Sequence, residues 1–92
     1  MTQPPRTRVL VVDDEPSVLL EIAGALKRHY DVVTAQSAEE AESILAKDRV
    51  DLLLTDLRLP GKDGIHLLEA VKAQNPDLPV VIMSGQIGRA HV

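Results

Sequence analysis

The chain has 92 residues, 45% hydrophobic and 26% charged, a balance that fits one globular domain and excludes two domains or a low-complexity segment. Tyr30 is its one aromatic residue and it has no cysteine, which excludes base-stacking platforms, disulfides, thiol nucleophiles and Cys-ligated zinc. Its formal charge of −4 opposes binding to nucleic-acid backbones and anionic membranes, so a cation is the expected charged partner.

Residues 1–8 (MTQPPRTR) are polar and proline-bearing, and read as a flexible leader. The apolar run after them is too short for a signal peptide or membrane span, which predicts a cytoplasmic protein. Residues 9–12 (VLVV) form an unbroken aliphatic run, the pattern of a strand buried on both faces. Pro16 then suits the first turn of a helix with Asp14 or Glu15 as its cap, and Val18, Ile22, Ala25 and Leu26 recur at helical spacing to about Arg28. Residues 31–35 (DVVTA) predict a second strand. Ser37 with Glu40 makes a capping box for a second helix, with Ala38, Ala41 and Leu45 on one face. Residues 50–55 (VDLLLT) predict a third buried strand closing on Asp56. The turn-forming loop LRLPGKDG follows, then a third helix with Ile65, Leu68 and Val71 on one face. A fourth strand, residues 80–83 (VVIM), ends at Ser84.

Strands alternating with helices at this spacing predict an α/β fold, a doubly wound parallel sheet with helices on both faces. Ligands of such sheets sit beyond the carboxyl ends of the strands. There the sequence places Asp13, Asp14 and Glu15 after the first strand, Asp56 after the third and Ser84 after the fourth. If the first and third strands are neighbours, Asp13, Asp14 and Asp56 lie close enough to need a cation or a proton among them. Mg²⁺ suits such an oxygen-rich site, and with it one carboxylate can act as a nucleophile toward phosphorus.

The strings VLVVDDEPSV, DLLLTDLRLPGKDGI and LPVVIMSG resemble, in order, the receiver domain of two-component response regulators, most closely the nitrogen-regulation type. The resemblance implies a flavodoxin-like sheet of order 2-1-3-4, with four of the family's five strands present. It implies that Asp56 is the phosphoacceptor, charged by a sensor histidine kinase. Asp14 would ligate Mg²⁺ directly, Asp13 through water and Arg58 through its backbone carbonyl, and Ser84 would hydrogen-bond a phosphoryl oxygen. The output domain, in the nitrogen-regulation type an ATPase joined to a DNA-binding helix-turn-helix, lies outside the chain, as do the family's fifth strand and its lysine.

Residues 87–92 (IGRAHV) resemble the translation of a sequencing-adapter oligonucleotide, which divides the chain into a leader (1–8), a shortened receiver domain (9–86) and a non-native tail (87–92). On that reading the fourth strand is an exposed apolar edge.

Each residue also has a plainer reading. Asp13 and Asp14 can cap a helix, Asp56 can start a turn and Ser84 can end a strand; only the four together point to phosphoryl chemistry. Lys62 and Asp63 read as loop and cap, and His29, His66 and His91 have no metal-site spacing. Two other functions compete: a pseudo-receiver that binds without phosphorylation, and a Mg²⁺-dependent aspartyl phosphatase. The phosphatase needs a general acid two residues after its nucleophile, where this chain has Arg58.

Overall fold

The computed structural model describes residues 6–56, 64–83 and 90–91. In chain order the elements are β1 (Arg8–Val12), α1 (Pro16–Leu26), β2 (Asp31–Ala35), α2 (Ala38–Lys47), β3 (Leu52–Asp56), α3 (Gly64–Gln74), β4 (Val80–Met83) and a two-residue β5 (Ala90–His91). The sheet order is β2-β1-β3-β4-β5; the first three pairings are parallel. This is the predicted 2-1-3-4 arrangement. The sequence reading of four strands with a bare outer edge is corrected at one point, because Ala90 and His91 pair antiparallel with Met83 and Ile82 of β4. An edge strand offers unsatisfied N–H and C=O groups, and a following segment can add to them.

β1 lies at the centre of the sheet, and its aliphatic run is buried on both sides. Val9 and Val11 face α1, with Leu19 completing that cluster. Leu10 and Val12 face α2 and α3 in a larger core with Ala35, Ala38, Ala41, Leu53, Leu67 and Val71. The period-two alternation of a strand divides these residues between the two layers.

Two helix faces differ from the sequence reading. In α1 the buried residue is Leu19, with Ile22 and Leu26 packed beside it, while Ala25 is exposed. In α3 the buried residues are Gly64, Leu67 and Val71, and Ile65 is 54% exposed. In α1 Ile22 and Leu26 are shared by both readings and Leu19 takes the place expected of Val18; in α3 Val71 is shared, and Gly64 and Leu67 take the places expected of Ile65 and Leu68. Runs such as VLL and IHLL contain apolar residues at adjacent positions, so spacing alone fits more than one face. The capping box of α2 is present: the Ser37 hydroxyl accepts from the Glu40 amide at 3.1 Å, and the Glu40 carboxylate accepts from the Gln36 amide at 2.8 Å.

At the amino ends of the strands, structure begins inside the expected leader. The Arg8 amide donates to the Asp51 carboxylate at 2.8 Å, the Arg8 guanidinium pairs with Asp31 at 2.8 Å, and the Asp31 amide donates to the Thr7 carbonyl at 2.9 Å. These contacts fix where β1 starts against β2 and β3.

The fold makes a direct contrast. Leu53→Ala, at a fully buried position, should destabilise the protein by about 2–5 kcal/mol. Ile65→Ala should stay within about 0.5 kcal/mol of the parent. Urea unfolding midpoints measure both, and equal losses would contradict the assigned face of α3.

Candidate functional site

The site follows from strand register. Val12 of β1 is aligned with Thr55 of β3, so the next residues along these adjacent parallel strands are Asp13 and Asp56. Asp13 keeps one more ladder bond, its amide donating to the Ala35 carbonyl at 3.1 Å. Its carboxylate then accepts the Glu15 amide at 2.9 Å, an Asx-type turn that swings the chain into α1. Pro16 occupies the first turn, where its missing N–H costs nothing. Glu15 holds the N-cap position but makes no side-chain cap bond. Glu15, one of the two residues the sequence offers as the cap, thus takes the N-cap position, while the carboxylate that bonds the backbone at the entrance to α1 is that of Asp13.

Thr55 is fully buried, and its hydroxyl donates to the Asp56 carbonyl at 2.9 Å. Among the described residues no buried side-chain polar atom lacks a partner. The threonine thus ends β3 with its polar group satisfied and sets the backbone from which the Asp56 side chain departs.

Asp13, Asp14 and Asp56 each place a carboxylate oxygen within 4.8 Å of the other two. Asp13 is 7% exposed, Asp14 lies open to solvent and Asp56 is half-buried. Burial is the largest cause pushing the Asp13 carboxyl above its ordinary pKa. The negative charges of Asp56 and Asp14 push it the same way, against the hydrogen bond from Glu15. Two carboxylates at this separation repel by a few kcal/mol at an effective dielectric constant of roughly 20. A hard divalent cation reverses the sign of that interaction and accepts an all-oxygen donor set, so the three residues fit such an ion.

The structure thus brings together three of the five site residues read from the sequence. The other two, Arg58 and Ser84, lie outside the described residues, as do Lys62 and Asp63 of the loop after β3. Two contributors escaped the sequence reading. The Thr55 hydroxyl was read only as strand, and the Asp13 turn was readable in principle from Asp, any residue, Glu, Pro at the end of an apolar run.

The raised Asp13 pKa has a definite consequence for stability. The folded state binds a proton at Asp13 more readily than the unfolded chain, so this group favours folding below pH 3.8 and loses that contribution as the pH rises through its folded-state value. Asp13→Asn keeps an oxygen to accept from Glu15 and removes the charge. With divalent ions chelated, it should be more stable than the parent at neutral pH, and the gain should shrink as the pH falls through the raised folded-state value of Asp13 and be gone below pH 3.8. Urea midpoints across a pH series check this, and a neutral-pH variant no more stable than the parent would contradict it.

Comparison with known proteins agrees with this geometry. Residues 9–92 match the response regulator receiver domain family. The chain is 39% identical over 82 residues to the response regulator protein PilR of Pseudomonas aeruginosa, an alignment covering 86% of this chain and 18% of that protein. It is 39% identical over 80 residues to the nitrogen assimilation regulatory protein NtrX of Azorhizobium caulinodans, covering 84% of this chain and 18% of that one. It therefore spans under a fifth of the length of either regulator. Among solved structures, the response regulator TrrA of Thermotoga maritima, determined in complex with Mg²⁺ and BeF, superposes with a TM-score of 0.82 at 27% identity, covering 88% of this chain and 71% of that one. Neither the phosphatase nor the pseudo-receiver reading is favoured by these matches. With its sheet order and its strand-end carboxylates, the chain belongs to the receiver domains of two-component response regulators.

Proposed function

We propose that Asp56 is the phosphoacceptor of this receiver domain and that Asp13 and Asp14, with Asp56 and the backbone carbonyl of Arg58, hold Mg²⁺. The observation that carries this reading is the convergence of the Asp13, Asp14 and Asp56 oxygens within 4.8 Å at the carboxyl ends of adjacent parallel strands, where α/β sheets bind ligands. The Mg²⁺–BeF complex of TrrA supports the same assignment by similarity.

In the proposed reaction an Asp56 carboxylate oxygen attacks the phosphorus of a phosphohistidine on a sensor kinase. The new P–O bond forms as the P–N bond breaks, and the departing imidazole takes up a proton. Mg²⁺, when bound, supplies neutralisation of the charge that gathers on the phosphoryl oxygens. Asp13, whose carboxylate accepts from the Glu15 amide, and Asp14 would hold the ion together with Asp56. Ser84 then hydrogen-bonds a phosphoryl oxygen of modified Asp56. The added charge biases the β4 side of the sheet and so changes affinity for an output domain or partner. On this reading the protein is a switch and not an enzyme with turnover, and it works in the cytoplasm; among the described residues no helix is long and apolar enough to cross a membrane. The output domain is proposed to regulate transcription, as the names of its relatives suggest.

Incubation with acetyl phosphate and Mg²⁺ should add the mass of one phosphoryl group, and Asp56→Asn should reduce that incorporation to background. Intact-mass spectrometry reads both. Equal labelling of parent and variant would overturn the assignment of Asp56.

A further inference from the structure

We propose that the opposite end of the sheet carries an anion site for a small polyphosphate. A groove of about 570 Å³ opens where β1 and β2 begin and α1 ends, lined by Arg6, Arg8, Lys27 and Arg49 together with Tyr30 and Asp31. Its volume falls within the range of small-molecule pockets. Four cationic residues against one lining carboxylate make a positive groove on a chain whose formal charge is −4, so the concentration is a product of the fold and not of composition.

Two of the cations are neutralised in place. The Arg8 guanidinium pairs with Asp31 at 2.8 Å, and that of Arg49 pairs with Asp51 at 3.4 Å while donating to the Arg6 carbonyl at 3.1 Å. The other two, Arg6 and Lys27, make no ion pair among the described residues. The Arg6 guanidinium donates to the Lys27 carbonyl at 3.1 Å, which fixes it beside the end of α1 and leaves its remaining N–H donors available. Among the described residues neither Arg6 nor Lys27 has a carboxylate partner. Two unneutralised cations on one groove, one of them a guanidinium fork, match a ligand with at least two negative charges and several acceptor oxygens. The groove's size and the chain's negative charge disfavour a nucleic-acid strand.

The test is titration of the protein with inorganic pyrophosphate at constant ionic strength, followed by amide NMR, with a chelator present so that no divalent ion occupies the carboxylate site. Saturable shifts are expected at Arg6, Tyr30, Asp31 and Arg49, and none at Asp13, Asp14 or Asp56. Arg6→Gln and Lys27→Gln change exposed side chains and should each weaken binding by about tenfold, with the rest of the spectrum unchanged. Absence of saturable shifts, shifts at the carboxylate end, or affinity unchanged in both variants would each overturn the proposal. So would saturation by a glutamate-rich peptide but not by pyrophosphate. None of these outcomes bears on phosphorylation of Asp56.

Discussion

The constraint on which the structure turns is the repulsion among three carboxylates that a parallel sheet forces together. Once Val12 is in register with Thr55, Asp13 and Asp56 leave neighbouring strands at the same level, and Asp14 follows at the entrance to α1. Nothing in the packing of the core requires acids there. The charges oppose folding of the uncomplexed protein, most of all through nearly buried Asp13. The same repulsion makes the site receptive to a hard cation, and it is relieved when one is bound. Stability and function are thus linked through one interaction: whatever neutralises the carboxylates also stabilises the fold.

The two ends of the sheet use charge in opposite ways. At the amino ends, the Arg8 guanidinium pairs with Asp31 of β2 and the Arg8 amide donates to the carboxylate of Asp51, just ahead of β3, so one ion pair and one hydrogen bond tie the start of β1 to both neighbours. At the carboxyl ends like charges are gathered, the carboxylates of Asp13, Asp14 and Asp56 lying within 4.8 Å of one another. The register fixed at one end delivers the acids at the other, five residues along β1. In this fold the structural pairing and the functional site are two consequences of the same strand alignment.

Much of this was legible in the sequence, and the exceptions have specific causes. The VLVV run, the capping box at Ser37 and Glu40, and the acids ending the strands are local signals, and each holds in the structure. The faces of α1 and α3 were misplaced because adjacent apolar residues leave the helical phase open, and only contact with the sheet selects Leu19 and Leu67. The pairing of Ala90 and His91 with β4 was not readable, since a two-residue strand has no period. Of the two acids the sequence offers as the cap of α1, the structure places Glu15 at the N-cap, but without a side-chain cap bond; three acidic residues in a row offer equivalent local chemistry, and the bond that turns the chain into the helix is made by Asp13. The Arg8, Asp31 and Asp51 contacts depend on long-range pairing that no local pattern encodes.

The most direct test of the central claim is paramagnetic. Mn²⁺ substituted for Mg²⁺ at low stoichiometry should selectively broaden the amide resonances of Asp13, Asp14 and Asp56, leaving those of Arg8, Asp31 and Asp51 at the far end of the sheet sharp. Broadening spread evenly over the acidic surface, or none at these three residues, would show that the carboxylates do not form one cation site.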